Sequence, residues 1–286
     1  MSTISYHIKR IEECLKKNIQ INAREAKIEA DYILKFVLKK PSSFFISNQS
    51  TNIEKSQEQL IASILKKRIK REPLAYIFKE WDFYGETFYL NKNSLIPRQD
   101  TELIIDLVLK QFDKKSKLNI LDLGTGSGVI GITLSKLYQN SIITISDKSL
   151  KALKVANNNI KKHKVTNIRS IKSNWFDSFK EKDFFDLILT NPPYIAKDDN
   201  HLTNPEINYE PSNALVAADN GFSDIFKIID NSPKFLNLKG MLIIEHGYTQ
   251  ANKVKDYLQK KSFDSIRQHR DINQRIRVTS TSKIKV

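Results

Sequence analysis

The chain has 286 residues, 40% apolar and 28% charged, enough for one full core and a second, smaller domain. Cys14 is its only cysteine and the histidines at 7, 163, 201, 246 and 269 lack ligand spacing, so a disulfide or metal centre within the chain is not expected. The net charge of +15 is split, with 16 basic and 9 acidic side chains in residues 1–80, 10 and 3 in residues 253–286, and 21 and 20 between. Such basic ends around a neutral middle suit docking on an acidic macromolecule. The bland reading is a lysine-rich solvated surface, since lysine supplies 37 of the 47 positive charges. The first fourteen residues mix acids and bases without an apolar signal core, and apolar runs such as 142–145 are too short to span a bilayer. A cytoplasmic protein is expected.

Residues 1–80 read as a small all-helical domain. Ile4, Ile8, Ile11 and Leu15 recur at helical spacing. Asn22 caps a second helix that Pro41 ends, and Ser56 with Gln59 forms a capping box for a third, running toward Arg71. No strand alternation precedes residue 82. Residues 81–97, WDFYGETFYLNKNSLIP, alternate aromatic and polar side chains around Gly85, as a hairpin or an extended linker does.

From Thr101 the pattern changes to helices alternating with strands. Helices are predicted at 102–112, 129–138, 149–163, 222–236 and 249–261, and strands at 118–123, 141–146, 168–173, 184–190 and 240–246. A closing pair at 263–269 and 275–280 has a short connection and is expected to pair antiparallel at one edge. Residues 81–286 therefore form an α/β domain, a doubly wound, mostly parallel sheet of seven strands.

Four of the eight glycines fall at 124, 126, 128 and 131, in LDLGTGSGVIG, between a strand and a helix. Bare backbone there lets a ligand approach helix N–H groups, and Asp147, closing the next strand, can accept from ribose hydroxyls. Gly126, Gly128 and Gly131 satisfy a dinucleotide fingerprint, so a nicotinamide cofactor competes. Asp122 followed by Gly124, Gly126 and Gly128 instead resembles the nucleotide loop of S-adenosylmethionine-dependent methyltransferases. Asp122 then either sits beside the cationic methionine end or simply fixes the loop.

Residues 191–194, NPPY, follow the fourth strand of the domain, next to the glycine strand in a doubly wound order, so both motifs open onto one crevice. The motif resembles that of methyltransferases acting on planar NH2 nitrogens. The Asn191 oxygen and the Pro192 carbonyl can each accept one N–H and aim the nitrogen's lone pair, on a backbone that proline stiffens. Tyr194 can pack on the flat face of the group, or be an ordinary half-buried aromatic.

REPLAYI at 71–77, FYG at 83–85, LIPRQDTE at 95–102, DLGTGSG at 122–128, NPPYI at 191–195, YEP at 209–211, ALVAADNG at 214–221 and IIEHG at 243–247 occur in one order. That series closely resembles the protein-(glutamine-N5) methyltransferases of peptide chain release factors, from about Arg71 to Arg277. The resemblance implies a Rossmann-like methyltransferase sheet, S-adenosyl-L-methionine as cofactor, and as substrate the Gly-Gly-Gln glutamine of class 1 release factors. It also implies cofactor contacts at Gly124, Thr125, Gly126, Ser127, Gly128, Asp147, Trp175 and Asn191. Substrate contacts fall at Asn191, Pro192, Pro193 and Tyr194, with Asn191, Pro192 and Tyr194 at the chemistry. Trp175 has a core-aromatic alternative. Two positions depart from the family pattern: Gln99 stands for proline, leaving the Arg98 turn less rigid, and Asn174 for aspartate, weakening an adenine contact. A monomer without membrane or obligatory nucleic-acid partner is expected. The rival reading is an adenine N6 or guanine N2 methyltransferase, which the neutral middle disfavours.

Overall fold

Caps and apolar spacing account for the helical unit. The computed structural model describes residues 2–180 and 182–282, in two compact units, one ending at Lys79 and the other beginning at Glu80. The first carries α1 (Ile4–Ile19), α2 (Ala23–Leu38), α3 (Ser42–Ser47), α4 (Lys55–Arg68) and α5 (Leu74–Phe78). Asn22 caps α2 as predicted: its Oδ1 accepts from the Glu25 N–H at 2.9 Å, and Glu25 accepts in return from the Asn22 N–H at 3.2 Å. The cap of α4 is Glu54, not Ser56. Glu54 keeps extended backbone (φ −67°, ψ 150°) and the Gln57 side chain accepts from its N–H at 3.1 Å, so the helix opens two residues early.

Ile4, His7, Ile11, Leu15 and Ile19 line the buried face of α1, so the spacing of isoleucines conceals a core histidine. The guanidinium of Arg68, 2% exposed, donates from Nε and Nη2 to the two Glu29 oxygens at 2.8 and 2.7 Å. A buried pair of that kind is tolerable because both oxygens are matched by donors.

The second unit opens with β1 (Glu80–Phe83) and β2 (Glu86–Tyr89), an antiparallel hairpin rather than a linker. Its two turn residues, Tyr84 and Gly85, both have positive φ (51° and 75°), as two-residue turns of this handedness require. Tyr84 tolerates that backbone because its N–H donates to Glu102 at 2.7 Å and its hydroxyl to Asp106 at 2.8 Å.

There follow α6 (Glu102–Gln111), β3 (Asn119–Leu123), α7 (Val129–Leu137), β4 (Ile142–Asp147), α8 (Leu150–His163), β5 (Ile168–Lys172), β6 (Phe185–Thr190), the single turn α9 (Ala218–Gly221), α10 (Ser223–Phe235), β7 (Leu236–Glu245), α11 (Ala251–Lys260), β8 (Asp264–Arg270) and β9 (Ile276–Ser282). The sheet order is β5-β4-β3-β6-β7-β9-β8, parallel from β5 through β7. The expected seven-stranded, mostly parallel sheet is borne out. β9 does pair antiparallel with β8, and it also inserts beside β7, leaving β8 on the edge. β7 begins at Leu236, four residues before the predicted strand, because its pairing with β6 is interrupted by a bulge: Phe185 pairs with Leu236 and Leu187 with Met241.

Period-two alternation sorts the strands into two apolar layers. Ile120, Leu187, Leu189 and Ile243 join Ile104, Ile132 and Ile145 on one side of the sheet. Leu121, Leu123, Ile188, Leu242 and Ile244 join Ile225, Ile229, Val254 and Leu258 on the other. Among the described residues no helix is long and apolar enough to cross a membrane.

Gly131 shows how closely α7 lies on the sheet. A Cβ there would meet Ile145 Cγ2 at 2.3 Å and the Asp122 carboxylate at 3.2 Å. Gly131→Ala gains about 1 kcal/mol of helix propensity and overpacks by roughly 1–3 kcal/mol. The expected net result is a lower denaturant midpoint; an unchanged or raised midpoint would show that α7 lifts off β4 freely.

Candidate active site

The site starts from two neighbouring strand ends. β3 and β6 pair in parallel with Leu123 opposite Thr190, and the Thr190 hydroxyl donates to the Leu123 carbonyl at 2.9 Å. Gly124 and Asn191 are the next residues of each strand, so the glycine loop and NPPY leave the sheet side by side. Gly124, Gly126 and Gly128 all have positive φ (70°, 56° and 87°). Gly124 also has a packing reason, since a Cβ there would lie 3.1 Å from the ring of Trp175.

A cavity of about 370 Å³ opens over these strand ends. Gly124, Gly126, Asp147, Asn174, Trp175, Asn191 and Pro193 line it. Thr125, Ser127, Gly128, Pro192 and Tyr194 do not. Thr125 Oγ1 donates to Asp122 at 2.6 Å, the Ser127 carbonyl accepts from Asn159 at 2.8 Å, and a Cβ on Gly128 would meet Ile132 and Ala156 at 2.9 and 3.2 Å. These three residues shape the loop from behind.

Asp122 is fully buried, and one of its oxygens takes both the Thr125 hydroxyl and the Gly131 N–H, at 2.6 and 3.1 Å. That geometry is the loop-fixing role. Burial pushes its carboxyl up to about 6, only partly offset by those two donors. Asp147 holds the loop from the next strand, accepting from the Gly126 N–H at 3.0 Å and the Ser149 N–H at 2.8 Å, and burial raises its carboxyl too. Each of its oxygens keeps a further lone pair for a ligand. Trp175 serves both readings: it belongs to the apolar layer, donates from Nε1 to Asp224 at 2.9 Å, and still presents its ring to the cavity. Asn174 Nδ2 is held by Asp177 at 3.0 Å.

At NPPY, Asn191 Nδ2 donates to Thr101 Oγ1 at 3.1 Å. The Tyr194 hydroxyl donates to Glu245 Oε1 at 3.4 Å, and the Tyr194 carbonyl accepts from Gln250 at 3.0 Å. Glu245 ends β7 and is 1% exposed. Burial pushes its carboxyl up to about 7, and Asp100 pushes the same way; Thr101, Arg277 and Tyr194 pull back only in part. Burial and the nearby Glu245 raise the Tyr194 phenol. The Arg98 turn, expected to be loosened by Gln99, is tied by an ion pair from Nη2 to Glu210 at 2.5 Å, while Glu210 also takes the Ile96 N–H at 3.0 Å. Thr101, Glu245 and the lining residues Lys92, Lys148 and Lys151 were not singled out from the sequence. The strings LIPRQDTE and IIEHG contained the first two, and nothing local marked either side chain for the site.

A Methyltransferase small domain matches residues 101–214, and a PrmC N-terminal domain matches residues 8–78. The crystal structure of a methyltransferase from Pyrococcus furiosus is similar in fold, with a TM-score of 0.53 at 19% identity over 80% of this chain and 98% of that one. Fold and domain match together define an S-adenosylmethionine-dependent methyltransferase. The release factor glutamine methyltransferase of Buchnera aphidicola subsp. Acyrthosiphon pisum is 36% identical over 96% of this chain and 98% of its own length. The bifunctional methyltransferase of Rickettsia bellii is 35% identical over 99% of this chain, which spans 56% of that longer protein. The chain belongs to the release factor glutamine methyltransferase family.

The buried Glu245 predicts a pH-dependent cost. Below its ordinary value of 4.5 the carboxyl is protonated in folded and unfolded chains alike and costs nothing. Between there and about 7 only the unfolded chain ionises, so this group's stabilising contribution is lost as pH rises. Glu245→Gln should therefore gain on the parent from pH 4.5 to pH 8, by up to about 3 kcal/mol. Urea melts of both proteins across that range measure it. A difference that stays constant with pH would mean the carboxylate is not penalised by its burial.

Proposed function

We propose that the protein transfers a methyl group from S-adenosylmethionine to the side-chain amide nitrogen of the glutamine in the Gly-Gly-Gln motif of class 1 release factors. The observation that carries this reading is the shared exit of Gly124 and Asn191 from paired strands onto one cavity. The cavity suits the cofactor: bare backbone at Gly124 and Gly126, the Trp175 ring beside them, and Asp147 oxygens able to accept from ribose hydroxyls. Bound there, the cofactor supplies a methyl already activated on a sulfonium.

The chain's own task is the nucleophile. An amide nitrogen is poor because its lone pair is delocalised into the carbonyl. With Nδ2 engaged on Thr101, Asn191 Oδ1 is left to accept one N–H of the glutamine, and the Pro192 carbonyl accepts the other. Fixing both hydrogens aims the nitrogen at the methyl and favours the pyramidal nitrogen that forms as the N–C bond is made. The methylated nitrogen would be strongly acidic, so one of the protons held at Asn191 Oδ1 and the Pro192 carbonyl would pass to solvent water. Tyr194, held through its hydroxyl and its carbonyl, walls the amide's flat face.

A glutamine at an exposed loop tip offers little surface, so the helical unit supplies the remaining contacts to the release factor. A substrate drawn from the translation machinery puts the enzyme in the cytoplasm, acting as a monomer. Radiolabelled cofactor offered with a release factor, DNA and tRNA tests the whole reading: label should enter the release factor alone, and label in a nucleic acid would overturn it.

Asn191→Ala should lower transfer by about 10²- to 10³-fold, the cost of one positioned hydrogen-bond partner, while the thermal midpoint stays near the parent's. A variant with near-normal turnover would show that another group orients the amide. Lys9, Lys16 and Lys17 are exposed on α1. Reversing them to glutamate should slow association with the release factor at low salt and have little effect above roughly 0.5 M, where screening is nearly complete. Unchanged association at low ionic strength would make the charge compositional.

A further inference from the structure

We infer that Gln250 is a positioning residue for the transfer, its side-chain NH2 holding the Tyr194 carbonyl and thereby the turn that carries the Pro192 acceptor. The inference rests on NPPY holding the glutamine amide. The turn leaves β6 after Thr190 and runs through two prolines, which lock φ and have no N–H to put into a ladder. Its near end is fixed by the sheet. Its far end, at Tyr194, needs a partner from elsewhere in the chain.

Gln250 stands immediately before α11 and is 7% exposed. Its Nε2 donates to the Tyr194 carbonyl at 3.0 Å, and its Oε1 accepts from the Gly247 N–H at 2.9 Å. A carbonyl only accepts and a backbone N–H only donates, so these two partners leave the carboxamide a single orientation. Gly247 is itself held, since its carbonyl takes the Gln250 N–H at 2.9 Å and His246 Nδ1 at 3.0 Å. His246 Nε2 meets Thr279 Oγ1 of β9 at 2.8 Å, which ties the corner to the sheet. Gly221 makes room for the contact: a Cβ there would lie 2.2 Å from the Tyr194 oxygen and 2.8 Å from Gln250 Nε2. Beyond Tyr194 the chain makes only an isolated bridge, Ile195 with Val216, outside the sheet. Gln250 ties the turn to the core, because Val254 and Leu258 of α11 pack in the apolar layer with Ile188 and Ile244. Few soft torsions separate the Tyr194 and Pro192 carbonyls, the φ of Pro193 being locked, so a shift at one carries to the other.

The competing role for Gln250 is a cap, since it closes a reciprocal capping box with Gly247 ahead of α11. Glutamate caps as well as glutamine. Gln250→Glu therefore keeps the cap and, once ionised, has no hydrogen to give Tyr194, while Gln250→Met keeps the length and loses both functions. On a release factor at pH 9, each variant should lower kcat by roughly tenfold or more, with KM for the cofactor near the parent's. The thermal midpoint of Gln250→Glu should also stay near the parent's. Glu245, His246 and the Tyr194 phenol titrate in all three proteins, so the ratio to the parent at one pH isolates the new side chain. In labelled parent protein, a scalar coupling should connect Gln250 Nε2 to the Tyr194 carbonyl carbon. Either variant within about threefold of the parent would reduce Gln250 to a cap and overturn the inference, as would absence of that coupling. If the parent methylates no release factor, the substrate reading falls on that ground alone, and the coupling still decides whether Gln250 holds the turn.

Discussion

The register between β3 and β6 is the constraint on which the site depends. Leu123 stands opposite Thr190, and the Thr190 hydroxyl clamps the Leu123 carbonyl across the last rung. A slip of one residue would turn Leu187 and Leu189 from one apolar layer to the other, so both layers of the core hold the pairing in place. The glycine loop and NPPY are thereby positioned by the most deeply buried part of the molecule. Neither has to be brought in by a flexible segment.

Two of the parallel strands end on an acid, Asp147 on β4 and Glu245 on β7, and Asp122 stands one residue before the end of β3. Burial raises the carboxyl of all three. Two of them take backbone N–H groups of the glycine loop and α7, and the third takes the Tyr194 hydroxyl. A core of aliphatic side chains at these positions would fold more stably, and would leave the loop and the Tyr194 hydroxyl without fixed acceptors. Stability is given up here for orientation, as is common at sites where polar groups must be held before a ligand arrives.

Much of this was legible in the sequence because the signals were local. The Asn22 cap, the glycine-dense turn after an apolar run and two prolines at a strand end each carry their physical reason within a few residues. What was missed depends on distance. Thr101 meets Asn191 across 90 positions and Glu245 meets Tyr194 across 51, so only the folded chain brings them to the motif. The α4 cap was misplaced because Ser56 is the commoner capping residue, while Glu54 with Gln57 offered the same reciprocal pattern two residues earlier. The insertion of β9 between β7 and β8 is a pairing choice that alternation cannot express, since either edge order buries the same faces.

The nitrogen that receives the methyl is the most direct witness of the reaction. Fragment mass spectrometry of a release factor incubated with the protein and S-adenosylmethionine locates it directly. One methyl on the side-chain nitrogen of the Gly-Gly-Gln glutamine, and none elsewhere on the release factor, is the predicted result. A methyl on a carboxylate, a hydroxyl or a lysine amine would contradict it, because two fixed carbonyl acceptors have no role in methylating any of those groups.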